Sequence, residues 1–127
     1  MALILFLLGA CYLGGICDPC VETLEIAVYD DAGEPVDTFS GEVQLGSATV
    51  KFSCTNGAAG EDDYTCRGNT VVFSTSETPG ELEIEDPAGN IFTGSPQVET
   101  LDRGNGDCGY CAMQVVEVEL EGCGDCG

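Results

Sequence analysis

The sequence predicts an all-β fold, a β-sandwich of about seven antiparallel strands stapled by disulfides. Three observations carry this. Short apolar/polar alternations of period two recur after residue 20, no segment there has a helical period, and turn signals separate the alternations at short intervals. In a strand successive side chains point to opposite faces, so such alternation marks a sheet with one face buried.

The elements follow in order. Leu24, Ile26 and Val28 alternate with Glu25, Ala27 and Tyr29. The turn Asp31-Ala32-Gly33-Glu34-Pro35 ends that strand, and strands are expected over 36–45 and 48–54. A polar loop, 55–65, contains Asn56-Gly57 and Gly60-Glu61-Asp62-Asp63, and reads as exposed and flexible. A strand is expected over 70–75 after Gly68-Asn69. Leu82 and Ile84 alternate with Glu81, Glu83 and Glu85, and Asp86-Pro87-Ala88-Gly89-Asn90 reads as the hairpin loop into a strand over 90–100. Val116, Val118 and Leu120 alternate with Glu117, Glu119 and Glu121 in the last strand. A chain of 127 residues suits one such domain, expected over 21–121, with a Gly/Cys-rich tail over 122–127.

The N-terminus has a different character. Residues 1–10, MALILFLLGA, form an apolar run too short for a bilayer span, which needs about 20 residues. It has the size of a signal-peptide core followed by the small residues Gly9 and Ala10, although no positive residue precedes it. The stretch Leu8-Gly9-Ala10-Cys11 resembles the lipobox of bacterial lipoproteins. That resemblance implies cleavage before Cys11, acylation of Cys11, a tether over 11–20 and attachment to the cell envelope outside the cytoplasm, at an outer membrane or cell surface. The chain has nine cysteines, so setting Cys11 aside leaves an even number that can pair completely.

Of the remaining cysteines, Cys54 and Cys66 flank the 55–65 loop and are expected to bond with each other. The others form three C-x-x-C pairs: Cys17/Cys20, Cys108/Cys111 and Cys123/Cys126. An exported chain favours disulfides, and the N-terminal pair is expected to be tied to one of the C-terminal pairs. Two alternatives use the same thiols. Two C-x-x-C pairs could hold a tetrahedral zinc ion. A redox pair would need a helix N-terminus to lower a thiol pKa, and no helix follows any of the three.

Residues 28–36, Val-Tyr-Asp-Asp-Ala-Gly-Glu-Pro-Val, resemble the first hairpin of carboxypeptidase regulatory-like, transthyretin-like domains. The resemblance implies a seven-stranded accessory module of exported proteins, generally without catalysis. Some relatives carry a Lys–Asn crosslink from a first-strand lysine. Here the one lysine, Lys51, falls in a middle strand and departs from that pattern.

Charge narrows the partners. With 23 acidic residues against 3 basic ones, the formal charge is −20. Such a chain repels phosphates, which argues against nucleic acid and against electrostatic binding to anionic lipid. The acidic strand faces read as solvated surface; calcium in loops such as 61–63 or 102–107 is the sharper alternative, although neither has EF-hand spacing. Without histidine there is no Ser-His or Cys-His dyad, and no phosphate-binding glycine loop opens a helix. The expected role is a non-catalytic surface interaction or envelope structural module, anchored through lipid, with a protein or carbohydrate ligand as its possible partner.

Overall fold

The computed structural model describes residues 22–59, 63–102 and 112–122. Among them are ten strands and no helix: β1 (Thr23–Tyr29), β2 (Phe39–Leu45), β3 (Ala48–Thr55), β4 (Ala58–Ala59), β5 (Tyr64–Arg67), β6 (Thr70–Ser74), β7 (Pro79–Glu85), β8 (Ile91–Gly94), β9 (Glu99–Asp102) and β10 (Ala112–Glu119). They form two five-stranded sheets. Sheet 1 runs β5-β6-β1-β10-β9 and sheet 2 runs β4-β3-β2-β7-β8.

The core lies between the sheets, and its residues are those the alternation selects. Leu24, Ile26 and Val28 from β1, Val71 and Phe73 from β6, and Val116 and Val118 from β10 face Phe39 and Val43 of β2, Phe52 and Cys54 of β3, and Leu82 and Ile84 of β7. Burying such side chains is worth about 1.5–3 kcal/mol each, which drives the two faces together. At Gly41 the backbones of β2 and β7 approach so closely that an added Cβ would collide with the Glu83 carbonyl oxygen, so glycine is required there.

Four expectations are corrected, the last of them at residues 36–38 below. The sheets are not wholly antiparallel, because β1 and β10 pair in parallel, Thr23 opposite Met113 through Tyr29 opposite Glu119. A parallel pair needs a long connection, and here the rest of the domain supplies it. The stretch 90–100 is two strands on different sheets, β8 and β9, parted at Gly94 (φ 135°) and by Pro96, which has no N–H for a ladder. The end of the 55–65 loop is strand β5, with Tyr64 and Cys66 buried. These additions, with the two-residue β4, raise the strand count above seven.

Residues 36–38 are the crossing from sheet 1 to sheet 2 rather than part of β2. Before crossing, Val36 N–H donates to Val28 O at 3.0 Å, and Pro35 bridges Tyr29. After β10 the chain crosses too: Leu120 N–H donates to Tyr29 O at 2.8 Å, then Glu121 exchanges bonds of 2.9 and 3.0 Å with Ile91 of sheet 2.

These pairings define two poles. The chain enters β1 at Thr23, beside Ser74 and Met113, and Asp102 and Ala112 lie at the same N-terminal pole. Tyr29, the turns at 30–35 and 86–90, and residues 120–122 occupy the distal pole.

Candidate functional site

The cysteine chemistry is clearest at Cys54 and Cys66. Both are buried, one on β3 and one on β5, and they form a disulfide with a Cα separation of 5.8 Å, within the ordinary range. The bond joins sheet 2 to the edge strand of sheet 1. In the core beside these strands Phe52 is the hub of an aromatic cluster, edge-on to Phe39 (6.3 Å between centroids), Tyr64 (6.5 Å) and Phe73 (5.6 Å). The Tyr64 hydroxyl accepts from Ser53 N–H at 2.9 Å and donates to Ser53 O at 3.3 Å, so the phenol ties β5 to β3 a second time. Sequence reasoning missed this tie; the signal was the alternation of Tyr64 and Cys66 with Thr65 and Arg67, masked by the acidic run before it.

Cys11, Cys17, Cys20, Cys108, Cys111, Cys123 and Cys126 lie outside the described residues, as do Glu61, Asp62 and residues 103–107. Among the described residues no group of three His, Cys, Asp or Glu side chains is placed to hold a metal ion.

The acidic strands are separated rather than neighbours. Glu81, Glu83 and Glu85 are exposed on the outer face of sheet 2, whereas Glu117 and Glu119 are exposed on the outer face of sheet 1. On sheet 2, Glu42 stands opposite Lys51 on one side and Glu83 on the other. Lys51 is exposed there, out of the core. The register slips between Val43 and Leu45, and a shallow depression of about 180 Å³ follows, lined by Glu42, Gln44, Thr49, Glu81 and Glu83 among others.

The outer face of sheet 1 differs. One row across it reads Ser74, Thr23, Met113, Leu101, and the next reads Thr65, Val72, Glu25, Val115, Glu99. Arg67 pairs with Glu25 at 3.6 Å and offsets its charge. Leu101, 39% exposed, is the one exposed large hydrophobic residue among those described.

The distal pole carries two matching turns. In each, an aspartate at the end of a strand starts an Asp-x-Ala-Gly sequence. Asp30 Oδ1 accepts from the N–H groups of Ala32 and Glu34, both at 2.9 Å; Asp86 Oδ1 accepts from Ala88 (3.0 Å) and Asn90 (2.9 Å). Gly33 and Gly89 close the turns at φ 81° and 91°, a region that glycine enters without penalty.

Comparison of the chain with protein-family models, with curated proteins and with solved structures finds no match.

Proposed function

We propose that this chain is an exported, lipid-anchored, non-catalytic β-sandwich, mature from Cys11, that works as an interaction or structural module of the cell envelope. The observation that carries the reading is the Cys54–Cys66 disulfide between the sheets. Such bonds persist in oxidising compartments and are rare where glutathione keeps thiols reduced. The LLGAC stretch supplies the attachment, and the even remainder of cysteines suits a chain that commits one to acylation. The resemblance of residues 28–36 to carboxypeptidase regulatory-like domains fits the same role. It is supported by the local path, in which β1 ends at Tyr29, Gly33 turns the chain and Pro35 returns beside Tyr29.

The test is the native N-terminus and its mass. The expected mature chain starts at Cys11 with acyl groups attached and partitions with membranes. Cys11→Ser leaves an uncleaved precursor or releases the protein from membranes. Native protein that still carries residues 1–10 overturns the reading.

A further inference from the structure

Two hairpin turns stand against each other beside the disulfide. Asn56-Gly57 joins β3 to β4, with Thr55 opposite Ala58, and both turn residues have positive φ, 53° and 78°, as an Asn-Gly hairpin turn requires. Gly68-Asn69 joins β5 to β6, with Arg67 opposite Thr70. A Cβ added at Gly57 would lie 3.0 Å from Gly68 N, so the two turn backbones are in contact. Cys54 precedes the first turn by two residues, and Cys66 precedes the second by two. Their bond therefore joins the hairpins at matching positions and holds the turns together. The crossing segment closes the arrangement. Gly57 N–H donates to Asp37 O at 2.8 Å, and Asn56 N–H donates to Thr38 Oγ1 at 3.0 Å.

Asn-Gly is also the dipeptide in which a backbone nitrogen meets least hindrance in attacking the preceding side-chain amide, because glycine has no Cβ. We propose that Asn56 is a modification site, converted without an enzyme to aspartate and isoaspartate, and that the Cys54–Cys66 disulfide guards it. Gly57 N attacks Asn56 Cγ. The N–Cγ bond forms, the Cγ–Nδ2 bond breaks, and ammonia leaves with the proton that Gly57 N gives up. Water then opens the five-membered imide at either carbonyl. One opening gives aspartate, and the other gives isoaspartate, with an extra methylene in the main chain. Either product adds a carboxylate to a chain already at −20.

The native turn withholds what the reaction needs. Gly57 N–H is committed to Asp37 O, and closing the imide ring rotates Asn56 out of its left-handed conformation. The turn has to open first. The other described asparagines are poorer sites even when opened. The residues after them, Thr70 and Ile91, are β-branched and crowd their own nitrogens. Their carboxamides are also held: Asn69 Nδ2 donates to Val28 O at 3.0 Å, and Asn90 Nδ2 donates to Asp86 Oδ2 at 2.9 Å. Asn56 is exposed.

The experiment ages the full chain at mildly alkaline pH, natively and in urea, and follows Asn56 in peptide maps. Deamidation raises the peptide by one mass unit, and isoaspartate separates from aspartate by retention. The native chain is expected to react about ten-fold more slowly than the chain in urea, or slower still, because local opening precedes the chemistry. In the Cys54→Ala/Cys66→Ala variant the rate at Asn56 should rise several-fold without urea. That variant is also less stable as a whole, so Thr38→Ala is the second probe. It removes the acceptor of Asn56 N–H and should speed Asn56 several-fold while the melting temperature stays within a few degrees. Thr38→Ser keeps the hydroxyl and should keep the slow rate. No product at Asn56 in urea overturns the site. Equal rates natively and in urea, or no acceleration in either variant, overturn the guard. Acceleration at Asn69 and Asn90 as large as at Asn56 would trace the effect to global unfolding and overturn the guard as well.

Discussion

Cys54 of β3 and Cys66 of β5 bond across the gap between the sheets, where both sheets end in short strands. The pair closes a loop with a sequence separation of 12, for which unfolded-state entropy assigns about 3 kcal/mol. The Cys54→Ala/Cys66→Ala variant is expected to lose roughly that much, read as a lower urea midpoint with an unchanged slope. A loss well below 1 kcal/mol would show that the aromatic cluster alone holds β5 in place.

The Tyr64 hydroxyl is the second tie at this edge. Tyr64→Phe keeps the ring stacked near Phe52 and Phe73 but leaves Ser53 N–H and O without their partner. The expected cost is about 1–2 kcal/mol, the usual consequence of leaving a part-buried polar group unpaired. Tyr64→Ala should cost about 3–5 kcal/mol, because it also empties the ring's place in the core. Equal losses in urea titrations of the two variants would contradict this division.

Asp30 and Asp86 do the same local work on different sheets. Each carboxylate accepts two backbone N–H groups that the turn leaves unpaired by the ladder. Asp30→Ala and Asp86→Ala should each destabilise by about 1 kcal/mol. Asn in place of either should recover most of it, since its amide oxygen accepts in the same position. Asp86 also accepts from Asn90 Nδ2 through Oδ2 at 2.9 Å, so its loss should be the larger of the two in thermal melts.

How much of this the sequence shows depends on which forces act locally. β1, β7 and β10 are plain from alternation, because one face is core and the other carries Glu or other polar residues. The turns at 31–35 and 86–90 are equally plain, since Gly and Asp are needed there by the backbone itself. The Cys54–Cys66 bond follows from two cysteines flanking one loop. By contrast, β5 has only two inward positions, Tyr64 and Cys66, too few to show a period after the acidic residues before it. The parallel pairing of β1 with β10 joins residues some 90 apart, so no local pattern announces it. The apolar side chains on the outer face of sheet 1 are hidden likewise, because Leu101, Met113 and Val72 come from three strands and from two different rows.

The cysteine count gives a further prediction. Setting Cys11 aside leaves eight cysteines, and after export they are expected to form four disulfides with no free thiol. Alkylation of the mature chain without reductant should then add no mass, whereas four alkylatable thiols with stoichiometric zinc would favour a thiolate site instead.

The acidic surface gives the last prediction. A formal charge of −20 is compressed on folding, with Lys51, Arg67 and Arg103 as the only cationic side chains. Glu42 and Glu83 face each other directly across β2 and β7, and like charges so placed destabilise a sheet pair. Self-repulsion should therefore oppose folding at low ionic strength. Raising salt from about 0.01 M to 0.1 M shortens the screening length from about 30 Å to 10 Å. The longer length spans most of a small domain and the shorter does not, so the melting temperature should rise steeply over that interval and then level off. NaCl and KCl should give the same curve, because screening depends on ionic strength alone. A calcium site would act by mass action, adding about 2.7 kcal/mol at a hundred times its dissociation constant. Melts with and without millimolar Ca²⁺ at matched ionic strength separate the two. A large added shift with calcium would identify a specific site, and a melting temperature indifferent to salt would show that the carboxylates are too far apart to oppose folding.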